Sequence, residues 1–181
     1  MKILAIPFAL ALFIPAALGA QTPSLDGAHL YSPATNLEQS ELTMLRTAKR
    51  SVDIAMYSFT DREIAEELVE LARVGVKVRV YRDRTEYQHE AERSDLNTTA
   101  MLTGAGIEVR IKGQKDLMHL KSYAIDGTCV RTGSANWSPT GLKRQDNDVR
   151  YECSPAAAEQ FARKFEELWR RPSNLSVSGQ R

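Results

Sequence analysis

The chain has 181 residues, 43 % hydrophobic and 26 % charged, with 24 Lys and Arg against 23 Asp and Glu for a formal net charge of +1. A balance this close to neutral excludes recognition of a polyanion through overall charge, so a nucleic-acid partner would have to be met by a local basic field. Two cysteines and the scattered His29, His89 and His119 show no metal-ligand spacing, which leaves a zinc site without support and no cofactor implied.

The N-terminus reads MKILAIPFALALFIPAALGA: Lys2, a mostly apolar run from Ile3 to Leu18, then small residues. This is the pattern of a secretory signal peptide over residues 1–20. Cleavage after Gly19, with Ala17 at the earlier small position, fits better than cleavage after Ala20. A membrane anchor is the alternative, but the run is shorter than the roughly 20 apolar residues a span needs and is broken by Pro7 and Pro15. Loss of Lys2 would leave 23 basic residues against 23 acidic. About 160 residues would remain, enough for one domain with a sizeable core. The expectation is a periplasmic or secreted protein with no stable membrane insertion after cleavage.

Residues 21–35 are expected to form a flexible lead-in, rich in Ser, Pro, Gly and Ala, ahead of one domain at 36–172 and a tail at 173–181. Leu37, Leu42, Leu45 and Ala48 give Asn36 to Arg50 a helical rhythm, and Val52 to Tyr57 reads as a strand. Thr60 with Glu63 suggests a capping box opening a helix from Asp61 through Ile64, Leu68 and Leu71 to Val74, with Gly75 as its stop. Val76 to Tyr81 alternates as the next strand. Asp83 to Asp95, dense in charge and poor in apolar residues, reads as a surface loop, either merely solvated or lining a substrate groove. A short helix from Leu96 to Leu102 and a strand from Ile107 to Ile111 follow, and Ser154-Pro155 opens a final helix whose core face is Phe161, Phe165, Leu168 and Trp169. Alternating strands and helices predict an α/β fold, a layered mixed sheet with helices on both faces and the strands around His119 to Asn136 central. No internal repeat occurs, so that stretch is present once.

It reads HLKSYAIDGTCVRTGSAN. If His119 to Asp126 is a strand, His119 and Lys121 share a face and Asp126 projects to the other. A neutral imidazole can attack phosphorus, while an ammonium takes up charge on the non-bridging oxygens. The Asp126-Gly127 turn and a second apolar run lead to Gly133-Ser134-Ala135-Asn136, where a hydroxyl and an amide can donate to the same oxygens and the small residues admit a substrate. The competing reading is an ordinary hairpin with a chance surface histidine. Arg110, Lys112, Lys115, Lys121, Lys143 and Arg144 flank or belong to the stretch, as a basic strip along a phosphate backbone or as a solvated face. Antiparallel pairing that sets Ser134 against Asp148 would bring Cys129 opposite Cys153, either bridged or as two buried thiols.

The stretch resembles the signature of the phospholipase D superfamily, the HKD motif with its downstream Gly-Ser-x-Asn. The resemblance runs from about Ser51 to Trp169, taking in VDIAMYSFTD, SANWS and FARKFEELW. A short chain with one motif is most similar to the bacterial secreted endonuclease Nuc branch, whose relatives include the mitochondrial cardiolipin hydrolase or Zucchini type. What the resemblance implies is a phospholipase D-like fold and metal-free phosphodiester hydrolysis through a phosphohistidine. His119 would be the nucleophile, Lys121, Ser134 and Asn136 phosphate ligands and Asp126 the last motif member, in a homodimer with the active site at its two-fold interface. One position departs from that pattern: the branch carries a His-orienting Glu about eleven residues after the motif Asn, where this chain has Asn147. Asp148 or Asp146 could take over, and strand alternation sets Asp148 at the mouth; the alternative is a polar loop with no catalytic duty. The leading expectation is an exported nuclease for DNA or RNA. The alternatives are a phospholipid phosphodiesterase and a nucleic-acid-binding protein without catalysis.

Overall fold

The computed structural model describes residues 25–93 and 97–177; the expected signal peptide and residues 21–24 of the lead-in lie outside the described residues. In chain order the elements are β1 (His29–Ser32), α1 (Leu37–Leu45), β2 (Ser51–Met56), α2 (Arg62–Arg73), β3 (Lys77–Arg82), α3 (Arg84–Ala91) and α4 (Thr98–Gly104). There follow β4 (Glu108–Ile111), β5 (Lys121–Ile125), β6 (Cys129–Gly133), α5 (Pro139–Lys143), β7 (Asn147–Glu152), α6 (Pro155–Trp169) and β8 (Leu175–Val177). The strands form one mixed sheet in the order β1-β7-β6-β5-β2-β3-β4-β8. β2, β3 and β4 run parallel through helical crossovers, and the remaining pairs are antiparallel.

Strand alternation divides the interior into two layers. On one face Val52, Ile54 and Met56 of β2 meet Leu37 and Leu45 of α1 and Ile64, Leu68 and Leu71 of α2. On the other, Ala55 and Tyr81 lie under Phe165, Leu168 and Trp169 of α6. Each of the larger aliphatic side chains and Phe165, withdrawn from water, contributes on the order of 1.5–3 kcal/mol. Helices thus cover both faces of a mixed sheet, as expected, and β5 sits inside it between β6 and β2.

Five local expectations are corrected. Asp61, not Thr60, caps α2, its Oδ1 accepting from the Ile64 amide at 3.2 Å. The charged segment expected as a loop contains α3, capped by Asp83. It lacks apolar periodicity because its inward anchor is a carboxylate: Glu90 pairs with the buried Arg82 guanidinium and accepts from the Thr98 hydroxyl and the Thr99 amide, each at 2.8 Å. The lead-in carries β1, which pairs antiparallel with β7, and the tail carries β8, which pairs with β4. The first helix ends at Leu45 rather than Arg50, since the amides of Lys49, Arg50 and Ser51 turn instead to the carboxylate of Asp126.

Candidate functional site

The β2–β5 ladder pairs Met56 with Lys121 and continues one step, the Tyr57 amide donating to the Leu120 carbonyl at 2.8 Å. Tyr57 therefore stands beside the residues that open β5, a strand that starts at Lys121 and leaves His119 just before it. The exposed His119 imidazole lies edge-on to the Tyr57 ring at 4.5 Å between centroids. The Lys121 ammonium lies 5.0 Å from the centroid of the same ring and donates to the His119 carbonyl at 2.9 Å. Burial, then the nearby Arg131 charge, holds the Lys121 ammonium below the ordinary lysine range, against a smaller opposing pull from Glu86. A cation under that pressure gains from an incoming anion. Burial, then the charges of Glu86 and Asp83, raises the Tyr57 phenol.

Asp83 ties α3 to the motif. Its Oδ1 accepts from the Thr85 and Glu86 amides at 2.8 and 3.2 Å, and its Oδ2 accepts from the Met118 amide at 2.8 Å, one residue before His119. Arg131 on β6 does the same for the other half of the site. Fully buried, it donates to Glu41 Oε1 at 2.6 Å, to the Lys121 carbonyl at 2.6 Å and to the Ala135 carbonyl at 3.0 Å. One guanidinium therefore clamps the strand bearing Lys121 to the loop bearing Ser134 and Asn136.

That loop begins at Gly133, where φ is +147° and an added Cβ would fall 2.3 Å from the Asp148 carbonyl, so no other residue fits. The Ser134 amide donates to Asp148 Oδ1 at 2.9 Å, and Ser134 Oγ accepts from the Asp148 amide at 2.9 Å. The Asn136 Oδ1 is buried without a hydrogen-bond partner among the described residues.

The remaining sequence expectations divide. Asp126 lies at the opposite end of the five-residue β5 from Lys121, at φ 54° in the hairpin turn. Burial raises its carboxyl, but the Ser51, Arg50 and Lys49 amides outweigh this and hold it below the ordinary carboxylate range. Its place is at the start of β2, away from His119. Asp148 is turned to His29, whose Nε2 lies 2.9 Å from Oδ2. The reason is register: Arg131 pairs with Tyr151, so Asn147, Val149 and Tyr151 share the face of Lys121 and Arg131, while Asp148 has the other parity. Burial raises Asp148, but bonds from Ser134 and His29 prevail and depress it. Asn147 donates to the Gly141 carbonyl at 3.0 Å and Gln145 Oε1 at 3.3 Å. Among the described residues no side chain hydrogen-bonds the His119 ring; its neighbour is Tyr57. Asp146, Asn147 and Asp148 line a cavity of about 340 Å³ with Tyr31, Ser32 and Ser134.

The basic strip is also revised. Arg110 donates to the Trp169 carbonyl, Lys112 to that of Leu117, and Lys143 to Glu38, whereas Lys115 and Arg144 are exposed. Cys129 and Cys153 stand opposite each other across β6 and β7 and are joined in a disulfide. Sequence reasoning passed over His29, Tyr57, Asp83, Glu86 and Arg131. Arg131 had a signal, a charged residue at an inward position of an apolar run, and Tyr57 ends the expected strand before SFTD.

A family model described as cardiolipin synthase, PLD-like domain, matches residues 42–169. The mitochondrial cardiolipin hydrolase of Chlamydomonas reinhardtii is 30% identical over 128 residues, 71% of this chain and 55% of that protein. The chain thus spans little more than half the length of that relative. Among solved structures, the phospholipase D family member Nuc from Salmonella typhimurium aligns with a TM-score of 0.76 at 23% identity, covering 83% of this chain and 97% of Nuc. NucT from Helicobacter pylori aligns with a TM-score of 0.71 at 21% identity, covering 83% and 98%. Matched along most of its sheet and over the whole stretch from His119 to Asn136, the chain belongs to the phospholipase D superfamily.

Proposed function

We propose that this chain is an exported, metal-independent phosphodiesterase that hydrolyses nucleic acid, DNA first, through a covalent phosphohistidine on His119. The observation that carries the reading is the grouping of His119 and Lys121 on one Tyr57 ring, which supplies an exposed nucleophile beside a partly desolvated cation. The imidazole attacks phosphorus, the leaving oxygen departs with a proton, and water then cleaves the phosphorus–nitrogen bond. Lys121, Ser134 and Asn136 take the non-bridging oxygens. With one motif per chain, the proton donor is the partner subunit's His119 in a homodimer closed about the site. The resemblance of the stretch from His119 to Asn136 to the endonuclease branch is what favours a nucleic-acid substrate.

A second reading has its own support. Leu117 and Leu120, 52% and 37% exposed, flank His119 and would suit a lipid, and the cardiolipin hydrolase relatives point the same way. Purified protein assayed on plasmid DNA and on cardiolipin vesicles, each with excess EDTA, separates the two. Nicking of DNA that survives EDTA and disappears in His119→Ala is expected. Turnover of vesicles alone favours the lipid reading, and loss in EDTA restored by a divalent cation overturns the metal-free mechanism.

A further inference from the structure

We propose that His29 is a positioning residue for the phosphate site, acting through Asp148 on Ser134. The inference rests on the reading of Ser134 as a phosphate ligand. It concerns a residue that lies N-terminal to the matched family span of residues 42–169.

The contacts form a chain. Tyr31 Oη lies 3.1 Å from His29 Nδ1, and His29 Nε2 lies 2.9 Å from Asp148 Oδ2. Asp148 Oδ1 accepts from the Ser134 amide at 2.9 Å, and the Asp148 amide donates to Ser134 Oγ at 2.9 Å. The two oxygens of one carboxylate are thus held from opposite sides, so the side chain cannot rotate without releasing either His29 or the Ser134 amide. The Ser134 amide also donates to the Asp148 main-chain carbonyl at 3.1 Å, so the carboxylate adds a second hold to a backbone one, and together they keep the Ser134 hydroxyl where its proton can be given to a phosphate oxygen. His29 has an electrostatic task as well: a bare Asp148 carboxylate beside Ser134 would repel the phosphate, and a hydrogen-bonded imidazole counters that charge. Both side chains are part-exposed, at 44% and 31%, so their pairing contributes little to global stability. A role in holding the Ser134 loop accounts for the contact where stability does not.

The test is a double-mutant cycle on the full chain, reading the affinity for inorganic phosphate and the turnover of bis(p-nitrophenyl) phosphate, with thermal melting as the folding control. His29→Leu is expected to weaken phosphate roughly tenfold, the scale of one hydrogen bond to a charged group. His29→Gln, which keeps a donor for Asp148, should stay within about threefold of wild type. In a Ser134→Ala background His29→Leu should cost less than about twofold, because its effect runs through Ser134. Full additivity in the double variant, unchanged affinity in His29→Leu or absence of phosphate binding by the wild type would each overturn the proposal. Should His29→Leu lose its cooperative melting, Asp148→Asn, which keeps an acceptor for the Ser134 amide and removes the charge facing His29, completes the same cycle. Phosphate binding that follows the cycle without diester turnover would refute the hydrolase reading and leave this one standing. Turnover with additive losses would do the reverse.

Discussion

Replacing Arg131 with Met should be among the most damaging single changes in this chain, although Arg131 faces no solvent. The substitution strands the Glu41 carboxylate, which like Arg131 is 0% exposed, and strips donors from the Lys121 and Ala135 carbonyls. Breaking a buried ion pair from one side costs about 3–5 kcal/mol, against a total stability of about 5–15 kcal/mol for a domain. With a urea slope near 2 kcal/mol per molar, the unfolding midpoint should fall by about 2 M. Removing both charges together tests the cause. In Glu41→Leu/Arg131→Met no carboxylate is left unpaired, and the remaining loss is the two carbonyls, about 1–3 kcal/mol for each that finds no new donor and less where water reaches it. The double variant should therefore unfold at higher urea than Arg131→Met alone. A single variant whose midpoint moves by less than about 0.5 M, or a double variant less stable than the single, would refute this account.

Tyr57→Leu removes the ring shared by His119 and Lys121 and should lower kcat about 10–100-fold with little change in melting, whereas Tyr57→Phe keeps the ring and most of the rate; equal rates for all three would rule out a positioning role. Cys153→Ser opens a bridge between residues 24 apart and should cost about 3 kcal/mol, read as a fall in the urea midpoint that reducing agent reproduces in the wild type. Asp126 is held below its ordinary carboxylate range in the fold, so its contribution is present above the unfolded value of about 4 and is lost as pH falls through the folded one. Asp126→Asn should flatten the decline of stability at acid pH, and an unchanged slope between about pH 5 and 2 would show the capped amides to be unimportant.

The parts of the fold that were legible are those in which burial follows a simple period. Ile64, Leu68 and Leu71 mark one face of α2, Phe165, Leu168 and Trp169 mark α6, and Val52, Ile54 and Met56 alternate along β2. Where a polar group does the holding, the pattern fails. α3 has no apolar stripe because Glu90, paired with Arg82 and two threonines, takes the inward position. β1 and β8 are the outermost strands, four and three residues long, and their evidence is the partner's backbone rather than their own side chains.

The site divides along the same line. His119, Lys121, Ser134 and Asn136 stand out as candidates in the sequence because they lie along one continuous stretch at spacings suited to holding a phosphate. What holds them comes from elsewhere in the chain: Tyr57 from the end of β2, Asp83 from the start of α3, Arg131 with Glu41 of α1, and His29 from the edge strand. The doubtful carboxylate shows why a sequence count was not enough. Asn147 and Asp148 differ by one place, but in a strand one place reverses the face, and the residue with the charge is the one directed to His29. The His119 imidazole is left with an aromatic edge as its neighbour, and the acidic charges felt at that Tyr57 phenol are those of Glu86 and Asp83, at the start of α3. A ring held edge-on at 4.5 Å restricts how the imidazole can turn, which is the geometric role that Tyr57→Leu tests. It does so without placing a negative charge directly against the imidazole.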